Sequence, residues 1–444
     1  MKTILIIGAG RSSSTLIQYL EAQGGIYNWQ LRVADKDIDL VLQKIHEPTR
    51  AVELDIFNPQ QLEQEILEVD IVVSMLPARF HPEVARYCLK HGKSLLTASY
   101  ESKEVADMSA EARSKGILFM NELGVDPGID HMSAMREIDR IRDAGYKLHT
   151  FESFTGGLIA PESDNNPWHY KFTWNPRNVV VAGQGGPAKF IQEGKYKYIP
   201  YNRLFRRTEK IEVEGYGTFE GYANRDSLHY IEQYNLKDVA TVYRGTLRRP
   251  GFCRAWDVFV QLGATDDSYI MENTDTMTYK EFINSFLYYS ETDSVKLKLL
   301  HYMHLDNDSD IIDKLEWLGI FDNTPVGLKN ATPAQILQHI LSQKWELDEN
   351  DKDMLVMWHK FIYFDPSKPK PILKTSSMGC IGDNMQHTAM SKTVGLPLAI
   401  ATKMVLIGQI NLKGVHIPTK KEIYDPILNE LEGHGIKFVE KIYH

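Results

Sequence analysis

Residues 2–14 read KTILIIGAGRSSS, and this stretch decides the fold. Lys2–Ile7 is a short, β-branched apolar run, as a buried strand requires. Gly8-Ala9-Gly10 then breaks it, and Arg11-Ser12-Ser13-Ser14 opens a helical pattern that runs to Leu20. A strand, a glycine turn and a helix N-terminus together form an anion cradle, because unpaired backbone N–H groups and the helix dipole both face a pyrophosphate. The third glycine of the usual fingerprint is replaced by Ser13, a residue still small enough for close helix–strand contact.

The pattern repeats outward. Strands are expected at Leu31–Ala34, Ala51–Leu54, Ile71–Leu76, Ser94–Thr97 and Ile117–Met120. Helical segments lie between them, including Pro82–His91 stopped by Gly92, and a segment from Ser102 to Gly116. This alternation is the signature of a doubly wound parallel sheet, an α/β Rossmann-type domain. Asp35, at the tip of the second strand, is placed to accept hydrogen bonds from ribose hydroxyls and to repel a 2′-phosphate. It favours NAD, although NADP stays open because Lys36 follows it. Loops at the C-terminal strand ends line the crevice of such a fold. They hold Leu54-Asp55, Met75-Leu76-Pro77, Ala98-Ser99-Tyr100 and Leu123–Gly128, with Ser99, Tyr100 and Asp126 nearest the chemistry.

Beyond Gly128 the grammar changes. A helix is expected over Met132–Ala144, and strands over Leu148–Thr155 (ending at Gly156-Gly157), Ile211–Tyr222 and Tyr243–Leu247. Phe361–Phe364 and Ile372–Ser376 bracket the turn sequence DPSKPKP as a hairpin. From about Tyr279 to Trp358 the pattern is helical, broken at Asp306–Asp310 and Asp322–Pro325; Ser391–Leu406 is another helix and Ile436–Tyr443 a last strand. The expected organisation is a dinucleotide domain at 1–125 completed by about 388–444, an α+β substrate and dimerisation domain at 126–275 and 359–387, and a helical insertion at 276–358. The stretch from Gly124 to Trp174, GVDPGIDH and then GGLIAPESDNNPWHYKFTW, is dense in turn formers and aromatics and reads as the roof of a ligand site.

Composition narrows the function. A net charge of -9 without a long basic run argues against nucleic acid and membrane surfaces as partners. Cys88, Cys253 and Cys380 are scattered and form no metal-ligand spacing, which suits a reducing, cytoplasmic setting and no metal. The opening residues leave no room for a signal peptide. Two arginine clusters, Asn224-Arg225-Asp226-Ser227 and Arg244–Arg249, suit a ligand with several carboxylates, since guanidinium binds carboxylate bidentately. A salt-bridged surface is the alternative reading, and Arg249 is expected to face water. Asp126, in a Val-Asp-Pro turn, either serves an amine or caps the turn; His131 reads as a helix-start residue; Lys171, between Tyr170 and Phe172, either binds a carboxylate or snorkels.

In order along the chain, GAG, LP after the fourth strand, TASY, NELGVDPGIDHMSAM, GGLIAPESDNNPWHYKFTW, GYANRDS, YRGTLR and AMSKTVGLPLAIATKMVL resemble the saccharopine dehydrogenase (L-glutamate-forming) family. The resemblance implies a Rossmann domain, an α+β dimerisation domain and a helical third domain in a homodimer. It implies NAD(P)-dependent interconversion of saccharopine with glutamate and 2-aminoadipate 6-semialdehyde. It puts cofactor contacts on Gly8, Ala9, Gly10, Arg11, Ser12, Ser13, Asp35, Leu54, Asp55, Met75, Ala98, Ser99, Leu123, Gly124, Val125, Asp126, Pro127, Gly128, Ile129, Asp130, His131 and Trp174. It puts substrate contacts on Ser99, Tyr100, Asp126, Arg225 and Thr246, Leu247 and Arg248, which Arg244 joins from the cluster reading. The fungal reductases of the family carry small and basic residues after the second strand and prefer NADP; Asp35 resembles the NAD-using branch instead. For the base that takes the amine proton, Asp126 stands first, with Tyr100 and Lys171 behind it. Two other readings compete: a reductive condensation such as that of the carboxynorspermidine synthases, and a non-catalytic Rossmann protein that senses NAD.

Overall fold

The computed structural model describes residues 1–443, which form two compact units, one of residues 1–148 with 362–443 and one of residues 149–361. The first unit contains strands β1 (Lys2–Ile7), β2 (Trp29–Asp35), β3 (Arg50–Glu53), β4 (Ile71–Ser74), β5 (Ser94–Thr97) and β6 (Leu118–Met120). They pair in the order β6-β5-β4-β1-β2-β3, every pair parallel, with the short strand Gly414–His416 added beside β6. This is the doubly wound order, and its reversal point lies between β1 and β4, where such sheets open a ligand crevice. One face buries Leu5, Ile7, Val72, Leu95 and Phe119 against Leu62, Ile66, Val84 and Cys88 of the flanking helices. The predicted strands of this sheet are present, their ends shifted by no more than two residues. The segment expected to be one helix from Ser102 to Gly116 is two, Lys103–Ala106 and Ser109–Ser114. The Ala389–Leu406 helix packs on the Ser14–Tyr27 helix, so the C-terminal part of the chain completes this unit. Gly395 allows it: a Cβ there would sit 2.9 Å from the Leu16 nitrogen.

The second unit is a mixed sheet covered by helices. Its strands are β7 (Lys147–Ile159), β8 (Ala188–Gln192), β9 (Lys195–Ile199), β10 (Thr208–Val213), β11 (Gly217–Ala223), β12 (Thr241–Arg248) and β13 (Asp353–Phe364), and the central path runs β10-β11-β12-β7-β13. Three sequence expectations change here. β7 does not stop at Gly156: it continues to Ile159, and the glycine is needed because a Cβ would lie 2.7 Å from the Leu247 carbonyl oxygen across the sheet. Ile211–Tyr222 is not one strand but a hairpin, turned at Gly215 and Gly217, which both adopt positive φ. The helical stretch also ends earlier than Trp358, since 353–358 belongs to β13. That strand is buried on both faces, so its sequence lacks the alternation that marks a half-buried strand. The expected hairpin is present, β13 lying beside the Ile372–Ile381 strand.

In the 156–174 segment, Trp168, Tyr170 and Phe172 are fully buried and pack edge-on against Trp345, with ring centroids 5.2, 5.0 and 5.3 Å away, so these three side chains are core residues. Its aromatics are the centre of the second unit's core. Four helices, Tyr279–Asn284, Val295–Met303, Asp310–Trp317 and Pro333–Trp345, close over that core. Among the described residues, no helix is long and apolar enough to cross a membrane.

Candidate active site

In the first unit, a candidate site is built at the reversal point of the parallel sheet. Gly8 leaves β1 at φ 105°, and a Cβ on it would lie 3.1 Å from the Met75 carbonyl carbon, so only glycine fits this close approach. Met75 in turn donates its N–H to the Ile7 carbonyl at 2.8 Å, which holds the β1 and β4 ends together. Over Gly10 the space is open, with nothing within 4 Å of an added Cβ. Arg11–Ser13 then form a single 3-10 turn leading into the Ser14–Tyr27 helix. A glycine turn open at Gly10 and the N-terminus of a 14-residue helix together fit a dinucleotide pyrophosphate. Ser13 is buried and its hydroxyl closes onto the Gly10 carbonyl at 2.8 Å, doing locally what a third glycine leaves open.

Asp35 is where the sequence placed it. One carboxylate oxygen accepts the Ala9 N–H at 2.7 Å and the other the Asp37 N–H at 3.1 Å, so the acid is fastened beside the glycine turn. Leu54 donates its N–H to the Asp35 carbonyl at 2.9 Å, and Asp55 follows it at the rim. Thus Gly8–Ser13, Asp35, Leu54-Asp55 and Met75 converge. Lys44, which the sequence reading passed over, joins them by donating to the Gly10 carbonyl at 2.5 Å.

The loop 121–131 forms the other wall. Leu123 and Glu122 donate to the carbonyls of Thr97 and Ser99 at 3.1 and 2.9 Å, and a Cβ on Gly124 would meet the Ala98 methyl at 3.2 Å. Gly128 sits at φ 147° with Gly124 so close that a Cβ would overlap it. The helix begins at Ile129, three residues before the expected Met132, and its first side chains serve the loop itself. Asp130 accepts the Gly128 N–H at 2.6 Å, and buried His131 pairs with buried Glu122 at 2.6 Å. Ile129, Asp130 and His131 are buried, and the last two hold the shape of the loop through these bonds. From Leu123 to His131, Asp126 alone is not buried but part-exposed.

A second residue the sequence reading missed is His81. It is 3 % exposed, and its Nε2 lies 2.8 Å from Ser99 Oγ and 3.1 Å from Thr97 Oγ1. Burial pushes it down to about 4, so it is neutral in the physiological range. Its Nδ1 is buried without a partner. It fixes the Ser99 hydroxyl, while Tyr100, next along, is exposed. The signal was present in the sequence as a histidine opening the helix after the Leu76-Pro77 loop.

The arginines belong to the second unit. On β12, alternation puts Arg244, Thr246 and Arg248 on one face, about 7 Å apart per step, while Leu247 turns into the core. Arg244 is 4 % exposed and stacks 3.9 Å over the Tyr230 ring. Arg225 lies beside it, because Asn224 donates to the Arg244 carbonyl at 2.9 Å and Ser227 accepts the Arg244 N–H at 3.0 Å. Arg225 is exposed and holds a φ of 34°, a costly backbone state for a side-chain-bearing residue.

Arg248 is 5 % exposed, and its guanidinium lies 5.0, 5.4 and 5.9 Å from the rings of Tyr170, Phe252 and Tyr222. It donates to the Leu247 carbonyl at 2.9 Å, its Nε has no partner, and no acid among the described residues pairs with it. A buried cation without an anion is costly, and a carboxylate ligand removes that cost. Arg249 is half-buried rather than facing water, donating to the Tyr216 carbonyl at 2.9 Å and stacking on Phe219.

Lys171 has a different setting from the one expected. The residue is 3 % exposed and its ammonium is held by Asp348 at 2.8 Å and Asp351 at 2.5 Å. Burial alone lowers its pKa, but the two carboxylates outweigh it and raise it. A lysine held protonated cannot accept a proton, and this one fastens the 164–174 segment to the 346–352 turn. Trp174 lies half-buried at the margin of the same core. Among the described residues, no cluster of acids, histidines and cysteines could hold a metal ion.

Comparison with known proteins adds the family. Residues 4–120 match the family model described as the saccharopine dehydrogenase NADP binding domain, and residues 124–436 match the saccharopine dehydrogenase C-terminal domain. A saccharopine dehydrogenase [NADP(+), L-glutamate-forming] of Schizosaccharomyces pombe is 31% identical over 452 residues, covering 100% of this chain and 99% of that protein. The mitochondrial alpha-aminoadipic semialdehyde synthase of Rattus norvegicus is 33% identical over 98% of this chain, which spans 47% of that longer protein. The structure of the apo saccharopine dehydrogenase (L-Glu forming) from Saccharomyces cerevisiae superposes with a TM-score of 0.90 at 30% identity, over the whole of both chains.

Proposed function

Since the chain belongs to the saccharopine dehydrogenase family, and is an oxidoreductase of that family, we propose that it oxidises saccharopine to L-glutamate and 2-aminoadipate 6-semialdehyde. Saccharopine is a secondary amine with three carboxylates. The observation that carries this reading is Arg248, a buried guanidinium with no acid of its own. Arg225 and Arg244 supply two further cations, and Thr246 a hydroxyl between Arg244 and Arg248.

The glycine turn, Asp35 and the 121–131 loop hold the nicotinamide nucleotide, which supplies the hydride acceptor when bound. Asp35 favours NAD by taking the ribose hydroxyls, whereas several relatives are named for NADP(+). The amine nitrogen must be neutral when the neighbouring carbon gives up hydride. Asp126 stands first to take or relay that proton, a role supported by its being part-exposed in a loop whose other residues are buried. Tyr100 ranks second, and Lys171 is set aside. Ser99, held by His81, orients the ligand. Water then hydrolyses the imine. Much of the rate enhancement comes from holding the reacting carbon against the cofactor. We take the active form to be a cytoplasmic homodimer, which sedimentation of the purified protein checks.

A substrate panel tests the reading. Saccharopine should be turned over with either nicotinamide cofactor, and carboxynorspermidine should not. The reverse pattern would move the chain to the polyamine-forming branch, and no turnover of either would favour a cofactor sensor.

A further inference from the structure

Lys44 lies just beyond the short Ile38–Leu42 helix and reaches back over the glycine turn. Its ammonium donates to the Gly10 carbonyl at 2.5 Å and lies 3.3 Å from the Ser13 hydroxyl oxygen. It is half-buried there and feels the Asp35 carboxylate. An ammonium has three N–H donors, and Gly10 and Ser13 occupy two of them. Asp35 is meanwhile no bare charge, because each of its oxygens already accepts a backbone N–H. Lys36, the cation next to Asp35 in sequence, is exposed and makes no ion pair among the described residues. The cation built into this corner is therefore Lys44.

We infer that Lys44 is the specificity residue that admits a 2′-phosphorylated dinucleotide beside Asp35, its ammonium taking the 2′-phosphate that the carboxylate alone would repel. The inference rests on the dinucleotide reading of Gly8–Ser13. It explains how a chain with an acid at the tip of β2 accommodates the same cofactor class as relatives named for NADP(+). Burial pushes the ammonium down to about 8, with Asp35 pulling the other way, so it is mostly charged at neutral pH. Lysine serves phosphate as a point charge, so position matters more than fork geometry.

The test is equilibrium binding of NADH and NADPH, followed by the fluorescence of the reduced nucleotide, to the parent, Lys44→Met and Lys44→Arg. Lys44→Met should weaken NADPH by about ten- to a hundredfold, the range of a charge-assisted hydrogen bond, and NADH by less than about threefold. Lys44→Arg should retain NADPH binding. Equal weakening of both nucleotides would overturn the inference, because it would place Lys44 on the shared pyrophosphate or in the fold. Unchanged binding of both would overturn it as well. A parent that binds neither nucleotide would overturn the dinucleotide reading itself, a failure separate from that of Lys44.

Discussion

Replacing Arg248 with Met should separate substrate binding from stability. The guanidinium is 5 % exposed, with one hydrogen bond to the Leu247 carbonyl and an Nε that has no partner. Leaving a polar group unsatisfied inside a protein costs about 1–3 kcal/mol. Stacking over Tyr170, Phe252 and Tyr222 returns roughly 1–2 kcal/mol, at centroid distances of 5.0, 5.4 and 5.9 Å. The two nearly cancel, and Met fills most of the space of the aliphatic stem. The free protein should therefore keep its stability to within about 1 kcal/mol, a Tm change of about 2–4 °C. Catalysis should respond very differently. Truncating one partner of a buried charge pair costs about 2–5 kcal/mol, so kcat/KM for saccharopine should fall by roughly 30- to 5,000-fold. The assay is thermal unfolding without ligand, beside saccharopine kinetics at saturating cofactor. A Tm lowered by about 10 °C or more with KM unchanged would show that Arg248 is a core residue, and would remove the observation on which the substrate reading stands.

Three further outcomes are expected. Arg225→Gly should raise the saccharopine KM strongly while holding or raising Tm, since glycine accepts the φ of 34° that arginine strains to hold; a fall in Tm at unchanged KM would return Arg225 to the surface. Asp35→Ser should shift the ratio of kcat/KM values toward NADP by about tenfold, and a ratio that does not move would show that Asp35 serves only the Ala9 and Asp37 backbone. His81 is depressed to about 4 from an ordinary 6.5, so between those values the unfolded chain binds a proton that the native one refuses. Acidification through that window should cost the parent up to about 3 kcal/mol, and His81→Asn should lose that component of the pH dependence; identical slopes of stability against pH in the two proteins would contradict it.

The parallel sheet was legible because each β strand there is a short apolar run closed by a glycine or a polar cap, and Gly8, Gly92 and Asp35 serve the geometry expected of them. The second unit was harder to read. In β13, burial on both faces removes the alternation that separates strand from helix, and at Gly156 a glycine that looks like a strand end is instead a point of close approach. Trp168, Tyr170 and Phe172 misled for a related reason: aromatics among turn formers look the same in sequence whether they cover a ligand or plug a core. Only their packing against Trp345, which lies 173–177 positions further on in the chain, decides between these. Lys44 and His81 stayed hidden because their partners, Gly10 and Ser99, are distant in sequence. Arg248 was visible as a residue, but its lack of an acid was not.

The central claim is the bond that is oxidised, and the products of a single reaction test it. Saccharopine's bridging nitrogen has a different carbon on each side. Oxidation on the lysine-derived side gives glutamate and the semialdehyde; oxidation on the other side gives lysine and 2-oxoglutarate. Purified protein incubated with saccharopine and NAD or NADP should form glutamate and reduced cofactor in equal amounts. Formation of lysine and 2-oxoglutarate instead, or of no reduced cofactor at all, would contradict the account.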